Sequence, residues 1–196
     1  MTTEELEQLL KDLTETQNID FKESCPWNID TFAKDILAFA NVKDGGYIII
    51  GVEEVGPPVC FVRKGTTQDH IKTYIIDTMR DQFAKYADPS VNFKVSFPKG
   101  KDGLSYIVIS IAEFDEIPII CVCKGYDIKQ STIYYRNRNK KVESAAVSNA
   151  NDLRDIVERA SYKLMRKTSK AIPVVTKTEN EVKKNIIFYE NENKGL

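Results

Sequence analysis

Leucines recur at Leu6, Leu9, Leu10 and Leu13 between charged and polar positions. This three-and-four spacing predicts an amphipathic helix over residues 3–13, with Thr3 as its N-cap and Glu4 and Glu5 at the positive end of its dipole. The period then shortens to two. Ile19 and Phe21 alternate with Asp20 and Lys22, which predicts a strand over residues 19–23 with the charged pair on one face. After Cys25-Pro-Trp27, Asp30 suits the cap of a second helix whose apolar face carries Phe32, Ile36, Leu37, Phe39 and Ala40. Asn41 would stop that helix in a left-handed conformation. Gly45 and Gly46 supply the positive φ angles of a turn into residues 47–52, the most apolar run in the chain.

The pattern further on predicts a short strand over 59–62, a helix from Thr66 or Thr67 to Phe83, and strands over 91–97, 104–112, 118–122 and 131–136. A helix over 151–167 with a basic end closes the series. From residue 169 the sequence turns polar and lysine-rich, so the organisation expected is a domain over 1–168 and an appendage over 169–196. Helices alternating irregularly with many short strands point to an α+β class, a mixed α/β sheet with flanking helices. No internal repeat interrupts it.

Composition narrows the class of protein. A chain of 196 residues with 42% hydrophobic and 29% charged residues can bury a full core. No apolar run is long enough to span a membrane, and Met-Thr-Thr-Glu-Glu has no apolar leader, so a cytoplasmic protein without membrane partners is expected. Cys25, Cys60, Cys121 and Cys123 fit reduced thiols, with Cys121 and Cys123 as core residues rather than a metal pair. The net charge of −1 hides an asymmetry: residues 1–60 hold 4 Lys/Arg against 12 Asp/Glu, and the remainder 24 against 17. Basic residues concentrate at Lys124, Lys129, Arg136, Arg138, Lys140 and Lys141, with Asp127 the one acid among them. A basic flank beside an acidic cluster suits a phosphodiester and its metal, although an unevenly charged solvated surface has the same composition.

Glu15, the run Ile19-Asp-Phe-Lys-Glu23, Phe39-Ala-Asn41, Gly45-Gly-Tyr-Ile-Ile-Ile-Gly-Val-Glu53 and Tyr134-Tyr-Arg136 occur in the order found in the Schlafen-like AlbA domain. The chain resembles that family over roughly residues 10–160. The resemblance implies an α/β fold once labelled as binding DNA and, in the Schlafen branch, a metal-dependent endoribonuclease acting on tRNA or rRNA. It implies an active site of three acids, which fall here on Glu15, Asp20 and Glu53, with Lys22 adjacent. It also suggests self-association within a defence or toxin system. In the family the in-strand acid is commonly Glu and the third commonly Asp, so both are swapped in length here. The zinc ligands of animal Schlafens have no counterpart, and His70 is the sole histidine.

Three gathered carboxylates repel unless a hard cation sits among them, and Mg²⁺ or Mn²⁺ is the expected occupant. Lys22 would then neutralise charge on a phosphate. The basic residues from Lys124 to Lys141 would hold the backbone of a structured RNA such as tRNA, or of DNA, and one of Tyr134 and Tyr135 could stack on a base. A plain alternative stands beside this reading: Asp20 and Lys22 as an exposed ion pair, Glu15 and Glu53 as solvated acids, and the chain as a non-catalytic nucleic-acid-binding regulatory domain.

Overall fold

In the computed structural model, residues 1–137 and 142–171 are described. In chain order the elements begin with α1 (Thr3–Leu9), β1 (Ile19–Lys22), α2 (Ile29–Ala40), β2 (Gly46–Ile50), β3 (Val52–Val55) and β4 (Cys60–Arg63). There follow α3 (Gln68–Ile71), α4 (Ile76–Phe83), β5 (Ala87–Asp88), β6 (Phe93–Ser96) and β7 (Ile107–Ile111). The last are β8 (Ile120–Cys121), β9 (Tyr134–Arg136), β10 (Ser144–Ala146) and α5 (Ala150–Ala171). The fold is α+β with a mixed sheet, as the pattern predicts.

The α2 crossover lets β1 and β2 run parallel, with Ile19 opposite Tyr47 and Lys22 opposite Ile50. β2 and β7, then β7 and β6, pair antiparallel, so the four-stranded sheet has the order β1-β2-β7-β6. β2 and β7 are central and covered on both faces, which is why their sequences are continuous in isoleucine and valine rather than alternating. Ile48, Ile50, Ile107, Ile109 and Ile111 meet Phe32, Ile36, Leu37 and Phe39 of α2. On the other face Ile49, Val108 and Phe21 meet Leu6, Leu10 and Tyr106. Each such side chain contributes about 1.5–3 kcal/mol of burial. Smaller ribbons, β3–β4, β5–β8 and β9–β10, complete the unit.

Local chemistry moves several boundaries from where periodicity sets them. Thr2, not Thr3, caps α1, because its hydroxyl takes the Glu5 N–H at 3.2 Å while the Glu5 carboxylate takes the Thr2 N–H at 2.7 Å. Asn28 rather than Asp30 caps α2, and α1 stops at Leu9. The helix expected up to Phe83 is broken into α3 and α4. There Thr73 donates its hydroxyl to the His70 carbonyl at 2.7 Å and accepts from the Trp27 N–H at 2.8 Å, diverting the chain from helix. The apolar run 47–52 divides at Gly51, whose φ of +113° turns β2 into β3. Positive φ falls on Asp44 and Gly45. Gly46 is needed for space instead, since a Cβ there would lie 2.1 Å from the Phe39 ring.

Asn41 keeps a right-handed backbone at φ −100°, contrary to the left-handed stop expected. Its buried amide donates to the carbonyls of Leu37, Ile119 and Tyr134 at 3.2, 2.9 and 3.1 Å, and its oxygen accepts the Ile119 N–H at 2.8 Å. One side chain thereby joins α2 to the β8 and β9 segments. α5 docks through buried Ile156 and Ala160 and through Arg159, which donates to Glu113 at 2.5 Å and to the Asn41 carbonyl at 2.5 Å.

The chain divides into two compact units, Met1–Lys163 and Leu164–Leu196. In the second, only the last turns of α5 are described, so most of the expected appendage lies outside the described residues, as do Arg138, Lys140 and Lys141. Among the described residues no helix is long and apolar enough to cross a membrane.

Asn41→Leu keeps the branched outline, somewhat enlarged, but strands an N–H and the carbonyls it served. Urea unfolding should show a loss of roughly 3 kcal/mol; an unchanged midpoint would contradict the role given to this amide.

Candidate functional site

β1 is an edge strand, so alternate N–H groups along it have no neighbouring strand. The segment before it folds back to supply a partner: the Glu15 carboxylate accepts the Phe21 N–H at 3.0 Å, and Thr16 and Ile19 close the turn between them. Phe21 faces the α1 layer. Asp20 and Lys22 face the opposite side, as the alternation predicts, toward α2 and the β9–β10 ribbon.

Neither charge is a solvated surface group. Asp20 and Arg136 are both buried. The Arg136 guanidinium donates to Asp20 Oδ1 at 2.9 Å, to Ser144 Oγ at 3.4 Å, and to the Thr16 and Ile19 carbonyls at 3.3 and 3.4 Å. It also lies over the Phe39 ring, 4.7 Å from its centre. Lys22 Nζ sits 2.7 Å from Asp35 Oδ2 and 3.1 Å from Asp20 Oδ2. The second contact is the longer of the two and is made to a buried carboxylate oxygen.

These placements set the titration behaviour. Burial, reinforced by the Asp20 charge, pushes the Glu15 carboxyl up to about 7, although its bond from Phe21 and the Arg136 charge oppose the shift. For Lys22 burial disfavours the ammonium, but the Asp35 and Asp20 carboxylates more than offset it and hold the group above the usual lysine range.

Glu15, Asp20, Lys22 and Arg136 line one cleft of about 310 Å³, with Asp35, Glu54 and Asp127 among the further acids on its walls. The structure therefore brings Glu15, Asp20 and Lys22 together. It does not bring in Glu53, which is half-exposed on β3 and lies 3.7 Å from Lys64. Its neighbour Glu54 lines the cleft instead, since successive strand residues face opposite ways. No three His, Cys, Asp or Glu side chains among the described residues are grouped to hold a metal ion.

The expected basic surface is also redistributed. Arg136 is a buried counter-ion to Asp20 and not a phosphate ligand at the surface. Tyr134 and Tyr135 are both buried, so neither is free to stack. Tyr134 accepts the Lys129 N–H at 2.8 Å, and Tyr135 donates to Asp155 at 2.8 Å. Lys124 and Lys129 are exposed. His70 accepts or donates through Nδ1 to Ser24 Oγ at 2.8 Å. Sequence reasoning missed Asp35, Ser144 and Glu54. Asp35 did carry a signal, because it falls three residues after Phe32 and four before Phe39, on the stripe that packs inward.

The chain matches the family model Schlafen, AlbA_2 over residues 15–145. It belongs to that family. Among solved structures it is similar to the N-terminal domain of a RecG-related protein from Nitrosomonas europaea, named for its relation to a DNA helicase. The identity is 19% and the TM-score 0.50, over 76% of this chain and 95% of that one. It is also similar to the DIP2311 protein from Corynebacterium diphtheriae, at 19% identity and a TM-score of 0.47, over 78% of this chain but only 28% of that one. The first of these likenesses shows the fold alone. No curated protein matches the chain.

Because the folded Glu15 carboxyl titrates near 7 and the unfolded one near 4.5, the native state holds the extra proton between those values. Stability on this account is complete below about 4.5 and is lost as pH rises through 7. In metal-free buffer the melting temperature of Glu15→Gln, relative to wild type, should therefore climb between pH 5 and pH 8. A constant difference across that range would show that Glu15 is not perturbed.

Proposed function

We propose that this domain is a metal-dependent endoribonuclease of Schlafen type, acting on structured RNA such as tRNA at the Glu15–Asp20 cleft. The observation that carries the reading is the carboxyl pair itself. Asp20 Oδ2 is a buried oxygen with the Lys22 ammonium 3.1 Å away, beside a Glu15 carboxyl whose charge the site resists. Such a pair suits Mg²⁺ or Mn²⁺, which is commonly bound through one or two carboxylates with water and substrate phosphate completing its shell. Glu54 lies on the same cleft wall but is not grouped with Glu15 and Asp20 as a third ligand, so the ion would rest on the pair. A divalent ion held there would polarise the scissile phosphate and acidify a bound water.

The chain's own groups have separate tasks. Lys22 presents a fixed positive charge toward the phosphate, kept ionised by Asp35. Glu15 would lose its proton on helping to hold the ion, which makes ion binding pH-dependent near neutrality. Arg136 is a positioning residue: it holds Asp20 from the buried side.

A second reading has its own support. Asp20, Lys22, Arg136 and Asp35 already neutralise one another, so the network stands without a cation and could serve a domain that only binds nucleic acid.

Incubating the full chain with tRNA and Mn²⁺ separates the two. Cleavage is expected, and Glu15→Gln should lower it by roughly 10–100-fold as support for the ion is lost, while unfolding in urea confirms that the variant is folded. Equal cleavage by the variant rules out this site. Binding of tRNA without cleavage at any divalent-ion concentration selects the second reading.

A further inference from the structure

The geometry points to Tyr126 as a stacking platform for an unpaired base at the rim of the Glu15–Asp20 cleft. This rests on the nucleic-acid reading above and narrows the substrate to a single-stranded stretch or loop.

Tyr126 is 89% exposed, and its ring and hydroxyl have no partner among the described residues. Single apolar side chains in water are ordinary; this one differs in that the backbone around it is held. Gly125 donates its N–H to the Ile128 carbonyl at 3.1 Å. A Cβ on Gly125 would lie 2.7 Å from Ile128 and 3.2 Å from the Tyr86 ring, so the turn packs too tightly for any other residue. Ile128 is buried, and the Lys129 N–H is bound by the Tyr134 hydroxyl at 2.8 Å. Asp127 forms an ion pair with Lys34, and both of these side chains line the cleft.

The loop therefore holds its backbone around one large outward ring, whose neighbour in sequence, Asp127, lines the cleft. A ring carried on a fixed backbone loses little freedom when it is covered. Lys124 and Lys129, both exposed, flank it. An aromatic face between lysines is the combination that holds single strands: charge follows the phosphates, and the ring accepts any base. Bases inside a duplex are already stacked on one another, so such a platform adds nothing to duplex binding.

The test uses the full chain, with fluorescence anisotropy of a labelled single-stranded ribo-oligomer and of the matching duplex. Tyr126→Ala should weaken single-strand binding by roughly ten-fold, the size of one lost base stack, and leave duplex binding unchanged. Tyr126→Phe should bind as wild type does, because stacking uses the ring and not the hydroxyl. A 5-iodouridine oligomer should crosslink to Tyr126 on irradiation. If wild type binds the oligomer and Tyr126→Ala binds it equally well, the platform is overturned while the nucleic-acid reading survives. If wild type binds neither nucleic acid, both fall. If Tyr126→Ala changes instead the mass seen by light scattering, the ring is covered by a second copy of the chain and the platform is again overturned.

Discussion

A guanidinium removed from water needs acceptors for its N–H groups, and those of Arg136 draw them from several elements through both terminal nitrogens, while its buried Nε finds none among the described residues. The ring of Phe39 beneath it belongs to α2, the Asp20 carboxylate to β1, the Thr16 and Ile19 carbonyls to the turn before β1, and Ser144 to β10. One side chain from β9 thus ties together the elements that surround the cleft. Such a pair need not add stability over an apolar replacement, but leaving one partner alone is costly. Its consequence is a unique arrangement: the turn carrying Glu15 must fold back so that its carbonyls meet the guanidinium.

The chemistry of the cleft follows from that arrangement. With Asp20 fixed from the buried side, its second oxygen is directed to the cleft, where the Glu15 carboxyl and the Lys22 ammonium meet it. Asp35 on α2 completes the balance by holding Lys22 from the helix side. The cleft is thus strongly acidic yet locally neutralised at its floor. A proton is favoured on Glu15, because burial and the Asp20 charge push its carboxyl up. Exposed Lys124 and Lys129, on the loop that carries the cleft residue Asp127, provide positive charge outside the acidic floor.

Much of this is visible in the order of residues. The two-residue period of Ile19–Lys22 puts Asp20 and Lys22 on one face, and the isoleucine run in β2 announces a strand buried on both sides. The mixed sheet and its flanking helices follow from the same patterns. What periodicity does not carry is the identity of partners distant in sequence. Arg136 in a basic stretch reads as a surface ligand, because its partner lies 116 residues away. Tyr134-Tyr-Arg136 looks like a recognition strip, yet all three side chains are buried. Glu53 and Glu54 differ by one position, and only the turn at Gly51 decides which of them reaches the cleft. Asn41 reads as a helix stop from its location, whereas its amide is committed to two distant strand segments.

The most direct measurement is a double-mutant cycle in urea on wild type, Asp20→Asn, Arg136→Met and the combined variant. Removing either partner alone should cost about 3–5 kcal/mol, because an uncompensated charge stays buried. The combined variant should recover a large part of that loss, giving a coupling of at least ~2 kcal/mol. If the two single costs simply add, the ion pair between β1 and β9 does not organise this fold, and the account of the cleft built upon it fails.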